Sequence, residues 1–267
     1  MIKAIAVDKD GTFLKSDHTY DKAYFDRLYQ KIVQQNIEFI VASGNQYAQL
    51  RSFFPDKVDN ITFVAENGAV TYQNDALLTA HYFDQQLIFE VLEMIHQTYH
   101  ISDVVLSGIH SAYVSDESSD EFLNFIRNYY YDIKKVASFN EITEDHFVKI
   151  ALRIKDEDLV KQVTNEIEQR YKGKIRAVTS GNDSVDLILP SVNKGVAIKE
   201  LLKEWDIQQD ELLAFGDANN DLEMLGLTIH SYAMANCSDE LAAIAKHRAP
   251  SNDESGVLQV IERYLQQ

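Results

Sequence analysis

Apolar and polar positions along the first part of the chain follow the pattern of strand–helix units. Short apolar runs predict strands at Ile2–Val7, Glu38–Ala42 and Thr62–Ala65. Between them, apolar residues three or four positions apart predict helices at Asp21–Gln35 and Tyr47–Phe54. Such an alternation is typical of a largely parallel sheet with helices on its faces.

The same pattern returns near the other end of the chain. Asn193–Trp205, Asp221–Leu225 and Gly256–Leu265 are predicted helices, while Leu212–Phe215 and Ile229–Ala233 are predicted strands. Both ends of the chain are therefore expected to build one sheet.

The stretch from Asp84 to Leu189 has a different pattern. Its predicted elements follow in the order helix, strand, strand, helix, strand, helix, strand, strand: Leu87–Tyr99, Val104–Ser107, Ala112–Ser115, Phe122–Tyr130, Val148–Ile154, Leu159–Tyr171, Ile175–Thr179 and Val185–Leu189. This order is typical of an α+β unit. We predict an α/β fold in which residues 1–83 and 190–267 form a Rossmann-like core domain and residues 84–189 form an inserted α+β domain.

Acidic residues outnumber basic ones along the whole chain of 267 residues. There are 42 Asp and Glu against 25 Lys and Arg, which makes the formal charge −17. Nucleic acid and anionic membrane surfaces are therefore not expected as partners, because clustered Lys and Arg bind them. No apolar run approaches the roughly 18 residues that span a bilayer, and a charge follows Met1 too soon for a signal peptide. We expect a cytoplasmic protein without internal disulfides, since Cys237 is the one cysteine in the sequence.

The first candidate for chemistry is the acidic segment at the end of the first predicted strand. Asp8 and Asp10 are two positions apart, so their side chains can point into one space, and Gly11 lets the chain turn sharply after them. Two carboxylates this close repel each other unless a cation lies between them or one carries a proton. A calcium loop does not fit, because Gly11 comes too early and Thr19 stands where an acid is needed.

Three further segments place polar groups at predicted strand ends or helix starts. Asp217 and Asp221 follow one strand, Ser43 and Gly44 follow another, and Lys194 begins a helix. A serine hydroxyl with a backbone N–H can hold a phosphate oxygen, and a lysine there can offset the charge of phosphate and carboxylates. Ligands of open α/β sheets bind at this edge.

These segments resemble the motifs of the haloacid dehalogenase-like phosphatases, and in particular those of the Cof-type sugar-phosphatase branch with a large α+β cap. Asp8-Lys9-Asp10-Gly11-Thr12 matches the first motif, Ser43 the second, Lys194 the third, Gly216-Asp217 with Asn220-Asp221 the fourth, and Glu66-Asn67-Gly68-Ala69 the segment before the cap. The second motif of this branch usually reads Thr-Gly-Arg. Here Ser43-Gly44-Asn45 keeps the hydroxyl but lacks the guanidinium.

The resemblance and the chemistry together predict a Mg²⁺ site. We expect Asp8, the backbone carbonyl of Asp10, and Asp217 to supply the protein ligands, since Mg²⁺ prefers oxygen. Gly11 and Thr12 would support that site.

Asp8 is expected to attack the phosphate, while Asp10 serves as general acid and base. The phosphate oxygens would be held by Ser43, Gly44, Lys194 and Asn220, and Asp221 would orient Lys194 or a metal-bound water.

The expected function is Mg²⁺-dependent hydrolysis of small phosphorylated metabolites, in particular sugar phosphates, through an aspartyl phosphate. One alternative is a phosphomutase on hexose phosphates, which returns the phosphoryl group to its substrate. Another is a phospho-accepting or ligand-sensing regulatory module. Asp10 beside Asp8 argues against this last alternative, because a signalling phosphoaspartate needs no adjacent acid–base group.

Overall fold

The computed structural model describes residues 1–179 and 183–266, and its strands form two sheets. In chain order the strands are β1 (Ala4–Asp8), β2 (Glu38–Ala42), β3 (Thr62–Ala65), β4 (Val70–Gln73), β5 (Ala76–Ala80), β6 (Val104–Gly108), β7 (Ala112–Ser115), β8 (Ile133–Val136), β9 (Phe147–Arg153), β10 (Arg176–Thr179), β11 (Ser184–Ile188), β12 (Leu212–Gly216), β13 (His230–Ala233) and β14 (His247–Arg248). The helices are α1 (Lys22–Gln34), α2 (Tyr47–Ser52), α3 (Gln85–Tyr99), α4 (Asp120–Ile126), α5 (Glu157–Arg170), α6 (Lys194–Glu204), α7 (Leu222–Leu225), α8 (Asp239–Ile244) and α9 (Gly256–Tyr264). None of the helices in the described ranges is long and apolar enough to cross a bilayer.

The first sheet has the order β14-β13-β12-β1-β2-β3-β4-β5. Its strands from β14 to β3 pair in parallel, and β4 and β5 are antiparallel. Every residue of β1 is buried, as expected for a central strand with helices on both faces. The two ends of the chain therefore build one Rossmann-like sheet, and the predicted fold class is confirmed.

The second sheet has the order β10-β11-β9-β6-β7-β8, and only its β7–β8 pair is parallel among the described strands. It has its own apolar core, in which Phe147, Ile150 and Leu187 pack with Ile88 and Val163 of α3 and α5. All its strands lie within residues 84–189, in keeping with an α+β insert. The bounds of the two domains stay a prediction.

Several elements were absent from the sequence prediction. The β4–β5 hairpin turns at Asn74 and Asp75, both with positive φ, a conformation that suits two-residue hairpins. β8 and β14 are short edge strands with little buried surface, and α8 is also short. Weak apolar periodicity accounts for these omissions.

Helix α4 is also shorter than predicted, since it ends at Ile126 and not at Tyr130. The backbone after it is bound by side chains of the first sheet's α2 region. Gln46 accepts hydrogen bonds from the N–H groups of Tyr131 and Asp132, both at 3.0 Å. These contacts hold the chain in a turn, and no local pattern in the sequence reveals them.

Candidate active site

The predicted site residues meet because their strands are neighbours. In the sheet β1 lies between β12 and β2, so the carboxyl ends of these parallel strands bring Asp217, Asp8 and Ser43 to one edge. Lys194 reaches the same edge from the start of α6, where the Asn193 side chain accepts a hydrogen bond from the backbone of the first turn. The four segments that the sequence singled out therefore converge.

A buried lysine joins two carboxylates at the centre of this edge. Lys194 Nζ lies 2.6 Å from Asp8 Oδ1 and 2.6 Å from Asp221 Oδ1, and none of the three side chains is appreciably exposed. Burial opposes the charge on Lys194, but the two carboxylates outweigh it and raise its pKa above the usual range. Burial likewise raises the pKa of Asp8 well above its usual value, and Lys194 opposes that rise. Asp221 thus contacts the same ammonium group as Asp8, and its expected role in orienting Lys194 stays a prediction.

Asp217 is fixed by the segment that follows β1. Thr12 Oγ1 donates to Asp217 Oδ1 at 2.8 Å. Gly11 has a φ of 75°, and a Cβ at this position would overlap the Asp217 carboxylate. Burial, together with the nearby Asp221, raises the pKa of Asp217 to about 6. Gly11 and Thr12 both lie against Asp217, and their supporting role in the site stays a prediction.

The acidic cluster has the chemistry of a divalent cation site. Carboxylate oxygens of Asp8, Asp217 and Asp221 lie within 4.8 Å of one another. Lys194 can offset only one of these three charges, and hard divalent cations take carboxylate oxygens as ligands. The side chains present therefore fit a bound metal. Asp221 was not among the predicted ligands.

The side-chain contacts of Asp10 lie outside this cluster. Its Oδ2 accepts from Asn45 Nδ2 at 2.8 Å and lies 3.0 Å from Lys9 Nζ. The sequence prediction assigned only the backbone carbonyl of Asp10 to the metal, so its side chain is available for another role. The sequence predicts neither contact of Asp10. It shows only that Asn45 stands where the motif usually has arginine, and it indicates no role for Lys9.

The predicted phosphate-binding groups already have protein partners. Ser43 Oγ accepts from the backbone N–H of Asn45 at 3.1 Å. The Gly44 carbonyl accepts from Lys149 Nζ at 2.6 Å, and Asn220 Nδ2 donates to Asn67 Oδ1 at 3.1 Å. Their positions are therefore set by residues of both sheets.

A cavity of about 300 Å³ opens beside these groups and extends to the second sheet. Asp8, Asp10 and Asp217 lie at one end of it. The lining residues from the second sheet and its helices are mainly apolar and aromatic, with polar and charged groups among them: Val105, Phe122, Phe125, Ile126, Tyr129, Tyr130, Lys149, Ala151, Leu152, Arg153, Ser184 and Asp186. The cavity can therefore hold a phosphate at the acidic end with the rest of a small molecule beside the second sheet.

Sequence reasoning missed a buried charge network between the two sheets. Lys149 Nζ of β9 lies 2.7 Å from Glu66 Oε2 and 3.5 Å from Asp186 Oδ2, and all three residues are buried. Asn67 Nδ2 donates to the same Asp186 oxygen at 2.9 Å. Glu66 and Asn67 both have positive φ, which is costly for residues other than glycine. A strained segment of the first sheet is thus held by charged residues of the second.

Comparison with known proteins identifies the class of this enzyme. A model of the haloacid dehalogenase-like hydrolases matches residues 5–261. The 5-amino-6-(5-phospho-D-ribitylamino)uracil phosphatase YbjI of Escherichia coli is 38% identical over 99% of this chain and 96% of its own. The structure of SMU.1108c from Streptococcus mutans has a TM-score of 0.93 at 36% identity and covers 100% of both chains.

The fold, the site and these relatives define a phosphoric monoester hydrolase with an α/β core. The chain belongs to the haloacid dehalogenase-like hydrolase family. The resemblance of its sequence motifs to that family is confirmed.

Proposed function

We propose that this chain is a Mg²⁺-dependent phosphatase that hydrolyses small phosphorylated metabolites through an aspartyl phosphate on Asp8. The observation that carries the proposal is the contact of Asp8 with the buried Lys194 at one end of a cavity that Asp10 also lines. A lysine there lowers the repulsion between an attacking carboxylate and a phosphate dianion.

In the first step Asp8 attacks phosphorus through a carboxylate oxygen. The bond from phosphorus to the leaving oxygen breaks, and Asp10 gives its proton to that oxygen. Ser43, Gly44, Lys194 and Asn220 hold the oxygens that do not react. The products of this step are the free alcohol and an acyl phosphate on Asp8.

In the second step water attacks phosphorus and gives a proton to Asp10. The bond between phosphorus and the Asp8 oxygen breaks, which releases inorganic phosphate and restores the Asp8 carboxylate. Asp10 is thereby protonated again for the next turnover. A phosphomutase would instead return the phosphoryl group to an alcohol, so analysis of the products separates the two functions.

Asp8, Asp217 and the backbone carbonyl of Asp10 would hold Mg²⁺. The Asp221 carboxylate lies in the same cluster as Asp8 and Asp217. When bound, the ion supplies positive charge beside the phosphate oxygens. Oxygen-only donors favour Mg²⁺ over softer metals. The chain's own part is to hold these carboxylates in place through Thr12 and Lys194.

The substrate we propose is a sugar or polyol phosphate, with a ring-bearing polyol phosphate as the first candidate. The name of the Escherichia coli relative specifies 5-amino-6-(5-phospho-D-ribitylamino)uracil as its substrate. The cavity wall formed by Phe122, Phe125 and Tyr129 suits a flat ring at a distance from the phosphate. Arg153 and Ser184 offer polar contacts beside it.

We also propose that residues 84–189 form a cap domain that closes over the leaving group. This proposal is supported by the separate apolar core of the second sheet and by its side chains on the cavity wall. Contacts with the part of the substrate that does not react would then determine selectivity.

The test is phosphate release from a panel of sugar, polyol and nucleotide phosphates, with and without Mg²⁺. The wild type should release phosphate only with the metal. Asp8→Asn should lose activity by several powers of ten, about 10⁴-fold or more, because an amide does not attack phosphorus. The exposed Asp59→Asn is the matched control and should keep full activity. Substantial turnover by Asp8→Asn, or by the wild type in the presence of EDTA, would contradict the proposal.

A further inference from the structure

Asn45 stands where the family's second motif usually has arginine, and its side chain contacts the proposed general acid directly. Asn45 Nδ2 donates to Asp10 Oδ2 at 2.8 Å, and Lys9 Nζ lies 3.0 Å from the same oxygen. Both donors are buried, whereas the Asp10 side chain is 37% exposed. Asp10 Oδ2 is therefore held by two buried donors, while Oδ1 lies 3.9 Å from Nδ1 of the exposed His18. The Asp10 side chain also lines the cavity.

Gln49 links these two donors to each other. Its Oε1 accepts from Lys9 Nζ at 2.9 Å and from Asn45 Nδ2 at 3.4 Å. Gln49 is 2% exposed, and Lys9 also lies over the ring of Phe53, at 4.7 Å from its centroid. Buried polar groups need such partners, because each unpaired one carries a desolvation cost. Lys9, Asn45 and Gln49 are therefore buried and bonded to one another, and Asp10 is the partially exposed group that Lys9 and Asn45 contact.

Gln49 and the neighbouring Gln46 contact the turn that follows α4, next to the second sheet. Gln49 Nε2 donates to the carbonyl of Asn128 at 3.0 Å, and the N–H of Gln46 donates to the carbonyl of Tyr129 at 3.3 Å. Tyr129 itself lines the cavity. The position of Asp10 is thus tied to the segment that would contact the leaving group.

We propose that Asn45 is a positioning residue for Asp10, acting with Lys9, and that Gln49 ties this positioning to the turn after α4. The inference rests on the proposed role of Asp10 as general acid. It assigns Asn45 a role in positioning, since its amide binds the carboxylate that transfers the proton.

The test compares leaving groups in the isosteric variant Asn45→Leu. Proton transfer to the leaving oxygen matters most for a poor leaving group. The variant should therefore lose about 10-fold to 100-fold in kcat/KM for the best alkyl phosphate of the panel, and far less for p-nitrophenyl phosphate. In an Asp10→Asn background the same substitution should cost nothing further, because its target is already removed. The exposed Asn60→Leu is the matched control.

Inhibition by inorganic phosphate distinguishes positioning from phosphate binding. If Asn45 acts through Asp10, the inhibition constant should stay the same in Asn45→Leu. The proposal would be overturned if Asn45→Leu lost equal kcat/KM for both leaving groups and inorganic phosphate inhibited it more weakly. It would also be overturned if the losses of Asn45→Leu and Asp10→Asn added up in the variant that carries both. If Asn45→Leu does not fold, Asn45→Asp takes its place, since it puts a carboxylate against Asp10. This variant must also lose more kcat/KM for the alkyl phosphate than for p-nitrophenyl phosphate. A wild type that hydrolyses neither substrate would instead refute the proposed function.

Discussion

Replacing Lys149 by Met should destabilise the protein strongly, because it removes the cation from a buried network. Lys149 lies on β9 with 2% exposure, between Glu66 and Asp186. The two carboxylates outweigh burial and raise the pKa of Lys149 well above its usual value, so it is charged at neutral pH. Methionine has a similar length but no charge, and both carboxylates would remain buried without it.

The expected loss is about 3–5 kcal/mol in the free energy of unfolding at neutral pH, the cost of leaving a buried charge without its partner. The loss should also depend on pH. Burial already raises the pKa of Glu66, and removing Lys149 should raise it further. A group with a raised pKa in the folded state stabilises the fold below its unfolded value of about 4.3 and loses that contribution as pH rises. The difference in unfolding free energy between the wild type and Lys149→Met should therefore become smaller as the pH falls towards about 5.

The assay is urea denaturation of wild type and variant at about pH 5 and about pH 7.5. Lys22→Met is the matched control, since Lys22 and Asp56 form an exposed pair at 3.5 Å and should contribute less than about 1 kcal/mol. The double variant with Glu66→Gln should recover part of the loss, because one orphaned charge is gone.

A loss below about 1 kcal/mol that is equal at both pH values would refute the reasoning, because it would mean that water reaches Lys149 and Glu66 in solution. A double variant that is no more stable than Lys149→Met would show that Glu66 is not the orphaned charge.

Three further predictions concern the metal site, the turn after β1 and a buried tyrosine. Asp217→Asn should raise the Mg²⁺ concentration for half-maximal activity by about tenfold or more, and a Mg²⁺ titration that matches the wild type would exclude Asp217 as a ligand. Gly11→Ala should lower the free energy of unfolding by about 1–2 kcal/mol from its positive φ alone, and its Cβ should displace Asp217. Both thermal stability and phosphate release should therefore fall. A variant that keeps both would contradict the geometry. Burial raises the pKa of Tyr29 to about 12 from 10.0, so stability should fall as pH rises above about 10. Tyr29→Phe should show a flatter decline in urea denaturation between about pH 9 and about pH 11, and an unchanged slope would count against this tyrosine.

The sequence by itself determined the centre of the first sheet and the position of the chemistry along it. Strands β1, β2, β3, β12 and β13, the main helices between them and the acidic ends at Asp8 and Asp217 follow from local patterns, because the strand and helix periods appear in residues that are close along the chain. Strands β4, β5 and β14 do not. Since parallel strands end at one edge, even the meeting of Asp8, Asp217 and Lys194 could be predicted.

Only the tertiary structure decided which side chains hold those groups in place. Asn45 binds Asp10 across 35 positions, Lys149 reaches Gly44 across 105, and the turn after α4 is bound by Gln46. Such contacts join elements that are distant along the chain, so no local pattern encodes them. The contacts of Lys149 and Gln46 depend on the packing of the second sheet on the first, whereas Asn45 and Asp10 meet at the edge of the first sheet. In both places burial favours a hydrogen-bond partner for a polar group.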